Sequence, residues 1–245
     1  MKAVILAAGK GSRLSPFSEI LPKPLMPIGL NPNGAFKTIV EYLIEQIVNA
    51  GIKTIYIIVN YKSDLIMNYL KEGDNWGVKI VYFNQSVLDG NGGAFYRVQD
   101  LIGEDPVLIS DCDNYISDSQ VLSKMVHFHN IKKAEITVGV SSVMNVEKFA
   151  IIKEKNMVPT DIKEKPKSNE GWGNLAKSGI LILSNKIAML NKEIALTENG
   201  EYTTTEIVKY GVVNNSKVEL FSIKDNFHDI GTWDEYIPIL AANLK

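Results

Sequence analysis

A single cysteine, Cys112, in a chain of 245 residues excludes an internal disulfide and points to a reducing, cytoplasmic setting. Long apolar runs are lacking too: nothing approaches the roughly 20 residues a membrane-spanning helix needs. The opening MKAVILAA is short and leads straight into charged loop residues, so it reads as a buried first strand rather than an export signal. Charge of one sign is also missing. The 26 Lys and Arg set against 28 Asp and Glu leave a net charge of −2, which argues against a broad nucleic-acid surface, since that binding needs many cationic contacts to phosphate. Histidine is scarce, and His127 and His129, two apart on an expected helix, project in different directions and make a poor metal pair. Low-complexity tracts and internal repeats are absent. What remains, 45% hydrophobic and 22% charged residues, is the composition of an ordinary globular protein, expected to fold as one domain over 1–245.

The apolar runs AVILA, TIYIIV, VKIVYF and PVLIS show little polar alternation, as expected of strands covered on both faces in a parallel sheet. Between the first two lies TIVEYLIEQIVNAG, with Ile39, Val40, Leu43, Ile44, Ile47 and Val48 on one helical face and Gly51 placed to end the helix in a left-handed cap. Weaker helical patterns span 64–70, 92–101 and 119–130. Strand and helix thus alternate through about residues 1–130, the order of a Rossmann-like, doubly wound α/β fold. From about 131 to 245 the chain is richer in strands (AEITVGVSSV, FAIIKEK, MVPTDIKEK, NLAKSGILILS), with helices expected at 203–210 and 234–243. This half is expected to complete a mostly parallel, mixed sheet and to form a substrate lobe.

After the first strand comes AAGKGSR, a glycine-rich segment able to turn backbone N–H groups toward phosphate oxygens. It is not a Walker A loop, because no Gly-Lys-Ser/Thr ends it, and it is not a dinucleotide fingerprint, because Leu14 occupies the third glycine's place. A second cation, Lys23, sits between Pro22 and Pro24, whose rings restrict the backbone around it. Arg13 and Lys23 aimed into one hollow could neutralise charge building up on a triphosphate.

LAAGKGSRL followed by PKPLMPI resembles the signature of the sugar-1-phosphate nucleotidyltransferases, the nucleoside-diphosphate-sugar pyrophosphorylases, most of all those acting on glucose-1-phosphate with dTTP or UTP. The resemblance implies a Mg²⁺-dependent enzyme of that fold that makes a nucleotide sugar and pyrophosphate. Leu6, Ala8, Gly9 and Gly11 would then enclose the nucleotide, Arg13 would contact the leaving pyrophosphate and Lys23 a phosphate. NQSVLDGNGGAF resembles the family's base-reading turn, in which Gln85 would face the pyrimidine edge and Gly90 would let backbone approach the base. In PVLISDCDNYI, carboxylates follow a strand's C-terminal end, where open α/β sheets bind ligands. Asp113 matches the family's metal position there, with Asp111 as a local hydrogen-bond acceptor or a supporting carboxylate. FHDIGTWDEY resembles the second acidic motif and makes Asp229 the other Mg²⁺ ligand; taken alone, an aspartate in a turn before a helix reads as a cap, with Thr232 the better candidate for that role. DIKEKP places Glu164 on sugar hydroxyls and Lys165 on the sugar phosphate, and NLAKSG offers Asn174 to the sugar and Gly179 for close packing. His228, adjoining Asp229, reads equally as a residue that orients it or as an ordinary loop histidine.

Two departures stand out. GLNPNGAFKT lengthens the link before the first long helix, where it could serve as a lid, as a contact in a homo-oligomer or not at all. Ala150 stands where related enzymes often carry glycine beside the sugar. No β-helix repeat follows, so no fused acyltransferase is expected. Two other readings compete: a cytidylyltransferase charging an alcohol phosphate such as phosphocholine, and a non-catalytic regulatory homologue that binds nucleotide sugars. Gln85 and EKP count against the first, and retention of both metal carboxylates against the second.

Overall fold

The computed structural model describes residues 1–223 and 227–244. Its strands and helices run in the order β1 (Lys2–Ala7), β2 (Pro27–Leu30), β3 (Phe36–Thr38), α1 (Ile39–Asn49), β4 (Thr54–Val59), α2 (Ser63–Leu70), β5 (Lys79–Asn84), α3 (Asn91–Tyr96), α4 (Gln99–Ile102), β6 (Val107–Asp111) and β7 (Asn114–Ile116). The second half continues with α5 (Val121–Lys132), β8 (Ile136–Ser142), β9 (Ala150–Lys155), β10 (Val158–Glu164), β11 (Leu175–Leu183), α6 (Asn185–Ala188), α7 (Thr204–Val213), β12 (Val218–Ser222), β13 (Phe227–Asp229) and α8 (Trp233–Asn243).

The four apolar runs of the first half become β1, β4, β5 and β6, paired in parallel in the order β5-β4-β1-β6. Every residue from Ala3 to Ala7 is buried, because helices cover the sheet on both sides. One apolar layer joins this sheet to α1, α2 and α5, and a second joins it to α3, α4, α6 and α7. β11 then runs antiparallel to β6 and β8, and β9 and β10 carry the sheet onward. The fold is therefore α/β with a large, mixed, mostly parallel central sheet, as expected.

Helix α1 has the ends its sequence calls for. Thr38 and Glu41 form a reciprocal capping box, and Gly51 at φ +81° closes the far end with Ile52 N–H donating to the Ile47 carbonyl. Five of its six predicted core residues are fully buried, and Gln46 joins them with its amide donating to the Ile116 carbonyl at 2.7 Å. The helix expected over 92–101 is broken into α3 and α4. The unusual GLNPNGAFKT segment is no loose loop: Pro27–Leu30 and Phe36–Thr38 pair as an antiparallel hairpin, and Tyr236 of α8 donates to the Pro27 carbonyl at 2.5 Å.

His127 is exposed, whereas His129 is buried against β8 with its Nδ1 2.8 Å from Thr137 Oγ1. Burial lowers the His129 pKa below the ordinary 6.5, so the fold holds the neutral ring. As pH falls through 6.5 the unfolded chain takes up a proton that the folded chain refuses, and stability is lost until the folded pKa is passed. Wild-type protein should therefore lose more urea midpoint between pH 7.5 and 5.5 than a His129→Gln variant; equal losses would refute this.

Candidate active site

The site forms at the C-terminal ends of β1 and β6, where the strand order places a crevice. The chain leaves β1 through Ala8–Gly11 and turns back at Gly11, whose φ is +67° and whose missing side chain leaves room for the Lys23 stem. Lys23 is 7% exposed, and its Nζ donates to Asp113 Oδ2 at 2.5 Å. Burial pulls the Lys23 pKa down, but Asp113 and the other acids around it more than offset that, so the group stays charged. Arg13 sits on the surface with its guanidinium over Gly231.

Asp229 reaches the same place by strand pairing. β13 runs antiparallel to β7 with Asp229 opposite Asn114, and the Ile230 N–H donates to the Asp113 carbonyl at 3.0 Å. Two acids far apart in the chain thus share one cleft. Burial pushes Asp229 up to about 6, with Asp113 adding to the rise and Lys23 and Arg13 opposing it. Asp111 rises to about 7, again chiefly by burial, with Lys177 opposing and Asp113 and Asp229 adding.

Two clefts meet at these acids. One of about 470 Å³ is lined by Leu6, Ala8, Gly9, Gly11, Arg13, Lys23, Gln85, Gly90 and Asp113, together with Ser12 and Leu88. The other, of about 290 Å³, is lined by Asp113, Asp229, Glu164, Ala150, Lys177 and Gly179 among others. Gly90, Asn91, Asp111, Asp113 and Glu201 line both. Every residue expected around the nucleotide therefore lies in one hollow, next to the hollow holding Glu164. Thr205 donates to Glu164 Oε2 at 2.9 Å and fixes that carboxylate.

Lys165 and Asn174 do not join them. Both are exposed and line neither cleft: Lys165 stands just past the end of β10 at φ +44°, and Asn174 is held by its backbone carbonyl, which accepts from the Val143 N–H at 2.9 Å. The buried ammonium in the second cleft is that of Lys177 on β11, 7% exposed and donating to Thr204 Oγ1 at 2.9 Å, while Lys148 lines the same cleft from an ion pair with Glu235. Its signal was a lysine inside an otherwise apolar strand, a placement tolerated only with partners. Gly179 has φ +74°, and a Cβ there would collide with Asp111 Oδ2. Asp111 is thus a half-buried acid lining both clefts, hydrogen-bonded to Asn91. Thr232 precedes α8 without a side-chain cap, and His228 lies against Tyr115, ring centroids 6.0 Å apart.

Among the described residues, no three His, Cys, Asp or Glu side chains assemble a metal cage. The two-acid arrangement suits magnesium, which typically takes one or two protein carboxylates and completes its shell with water and phosphate oxygens. The hard oxygen donors fit such an ion, as does the raised pKa of Asp229, which burial sets first and the neighbouring Asp113 charge second.

A family model described as Nucleotidyl transferase matches residues 2–245. The "Bifunctional protein GlmU" of Methanococcus maripaludis is 33% identical over 247 residues, which take in 99% of this chain and 54% of that protein. A mannose-1-phosphate guanyltransferase of Aspergillus oryzae is 29% identical over 90% of this chain and 59% of its own length. The chain thus spans about half the length of the curated relatives it matches. A solved Bacillus anthracis protein, assigned as a glucose-1-phosphate thymidylyltransferase and complexed with sucrose, superposes with a TM-score of 0.87 at 25% identity, covering 99% of this chain and 95% of that one. A UDP-glucose pyrophosphorylase complexed with UDP-glucose shares the fold, with a TM-score of 0.84 at 24% identity over 98% and 97% of the two chains. Among the described residues, no helix is long and apolar enough to cross a membrane.

Proposed function

The chain belongs to the nucleotidyl transferase family, and from that premise we propose that it transfers the nucleotidyl group of dTTP or UTP to a sugar-1-phosphate, most simply glucose-1-phosphate, and releases pyrophosphate. The observation that carries this reading is the joining of two clefts at Asp113, with the glycine loop and Lys23 on one side and Glu164 and Asp229 on the other. A triphosphate laid in the first cleft would bring its α-phosphorus to the shared acids, and a sugar phosphate in the second would approach from across them.

In the step itself, a phosphate oxygen of the sugar-1-phosphate attacks the α-phosphorus. That P–O bond forms as the bond to the β-phosphate bridging oxygen breaks, and pyrophosphate departs with the electron pair. The nucleophile is already an anion at neutral pH, so no residue has to remove a proton. Catalysis rests on positioning and charge neutralisation. Backbone N–H groups at Gly9 and Gly11 line the triphosphate cleft, Lys23 holds a positive charge in its wall, and Arg13 at the open side meets the departing pyrophosphate. Glu164, fixed by Thr205, accepts from sugar hydroxyls. Lys177 balances Asp111 and keeps that acid from repelling the incoming phosphate. Asp113 and Asp229 would hold Mg²⁺, which when bound supplies positive charge to the triphosphate.

Pyrophosphate release from four triphosphates crossed with a panel of sugar-1-phosphates, in Mg²⁺, tests this reading. Turnover is expected with UTP or dTTP and glucose-1-phosphate. Release confined to CTP with an alcohol phosphate would replace it by the cytidylyltransferase reading. No release from any pair, with nucleotide sugar still bound, would make the chain a non-catalytic binding homologue.

A further inference from the structure

The two ends of a glutamine amide are ordinarily interchangeable by a half-turn. At Gln85 they are not. Its Nε2 donates to Asp89 Oδ1 at 3.0 Å and to the Gly90 carbonyl at 3.0 Å, so both of its N–H groups are taken. Both partners are acceptors, and a turned amide would set oxygen against oxygen. Asp89 is held from its other side, where Oδ2 accepts from Arg97 Nη2 at 3.0 Å. Gly93 makes room for that carboxylate, since a Cβ there would collide with it. The backbone is tied as well: Gln85 N–H donates to the Val59 carbonyl at 2.9 Å, Asn60 Nδ2 donates to the Gln85 carbonyl at 2.7 Å, and Tyr202 N–H donates to the Asp89 carbonyl at 2.8 Å.

Gln85 is 3% exposed yet lines the larger cleft. Among the described residues none donates to its Oε1, and that oxygen is not one of the sealed, unpartnered atoms. What the side chain offers the cleft is therefore a lone acceptor of fixed direction.

We propose that Asp89, itself held by Arg97, is a positioning residue that locks Gln85 as an acceptor, so that the cleft selects a base carrying a ring N–H on its pairing edge. Uracil, thymine and guanine carry one; cytosine and adenine present a ring-nitrogen lone pair there. An exocyclic amine of cytosine or adenine meets Gln85 Oε1 only if the base slides along its edge away from the register set by the phosphates. The lock works chiefly by exclusion, because a free amide would turn to suit either class and a held one does not. This inference rests on the reading above in which the base sits against Gln85.

The test compares UTP with CTP in wild type, Asp89→Asn and Arg97→Gln. Asp89→Asn gives Gln85 a partner that can itself turn, and the ratio of kcat/KM for UTP over CTP should fall about tenfold or more, while the KM for the sugar phosphate stays unchanged. Arg97→Gln leaves Asp89 in place but unanchored and should move the ratio the same way by less. Titration calorimetry of UTP and CTP against the same three proteins reads the preference without turnover, and matched urea midpoints establish that the variants fold. An unchanged ratio in both variants, or a wild type that takes CTP as readily as UTP, overturns the lock and leaves nucleotidyl transfer standing. Absence of turnover with every triphosphate sinks the transferase reading instead, and the calorimetric ratio then decides the lock.

Discussion

Replacing Asp113 by asparagine is expected to lower kcat about a hundred- to a thousandfold, the scale on which losing one preorganised electrostatic contact to a transition state is felt. The substitution keeps an oxygen able to accept from Lys23, which otherwise would be left buried beside a gap. It removes the negative charge that, with Asp229, would hold the metal. Folding should suffer less than turnover: buried Lys23 loses its closest opposite charge, but the backbone bond from Ile230 N–H to the Asp113 carbonyl and the β7–β13 pairing involve no Asp113 side-chain atom. Steady-state kinetics beside a urea melt separates the two effects. A kcat within about tenfold of wild type, with the melt unchanged, would remove Asp113 from the chemistry.

Gly90→Ala should be the most damaging small substitution in the site. Gly90 has φ +96° and ψ 172°, backbone that residues with a side chain scarcely adopt, and a Cβ there would run into the Tyr202 carbonyl oxygen. That oxygen is itself tied to the next turn, accepting from the Gly92 N–H at 2.9 Å, and cannot withdraw alone. Strain and overpacking together should cost about 3 kcal/mol or more, or a melting temperature lower by about 6–12 °C for a chain of this size. Because Gly90 lines both clefts, affinity for nucleotide and for sugar phosphate should fall together. Calorimetric melting with binding of each substrate checks this; a melt within about 1 °C of wild type would show that the turn can give.

The sequence expectation for Gly90 concerned approach to a base, whereas in the structure the close neighbour is Tyr202, on a segment that no local pattern links to the 85–92 turn. Similar limits appear elsewhere. The period of α1, its capping box and Gly51 are written in adjacent residues, and so are the mainly apolar strands β1, β4 and β6. The division of 92–101 into two helices was not readable, since α3 is set by backbone bonds to Tyr202 and by Asn91 Oδ1, which accepts from Thr204 N–H. Lys177 went unremarked because its partners, Thr204 and Asp111, come from other elements. Lys165 and Asn174 sat in suggestive motifs yet lie outside both clefts, because the chain direction at the ends of β10 and β11 is decided by pairing with β9 and β8.

By itself the sequence determined the strand-helix alternation, the glycine loop, the proline-flanked Lys23 and the acids at strand ends, because each rests on side-chain chemistry and spacing within one or two turns of chain. Only the tertiary structure decided that Asp229 stands beside Asp113 and that Gln85 faces the cleft with its oxygen. Those outcomes depend on the β7–β13 register and on a bridge through Asp89 to Arg97. Register and bridging are choices among distant partners, made when competing pairings are weighed in the packed molecule, and local periodicity carries no information about them.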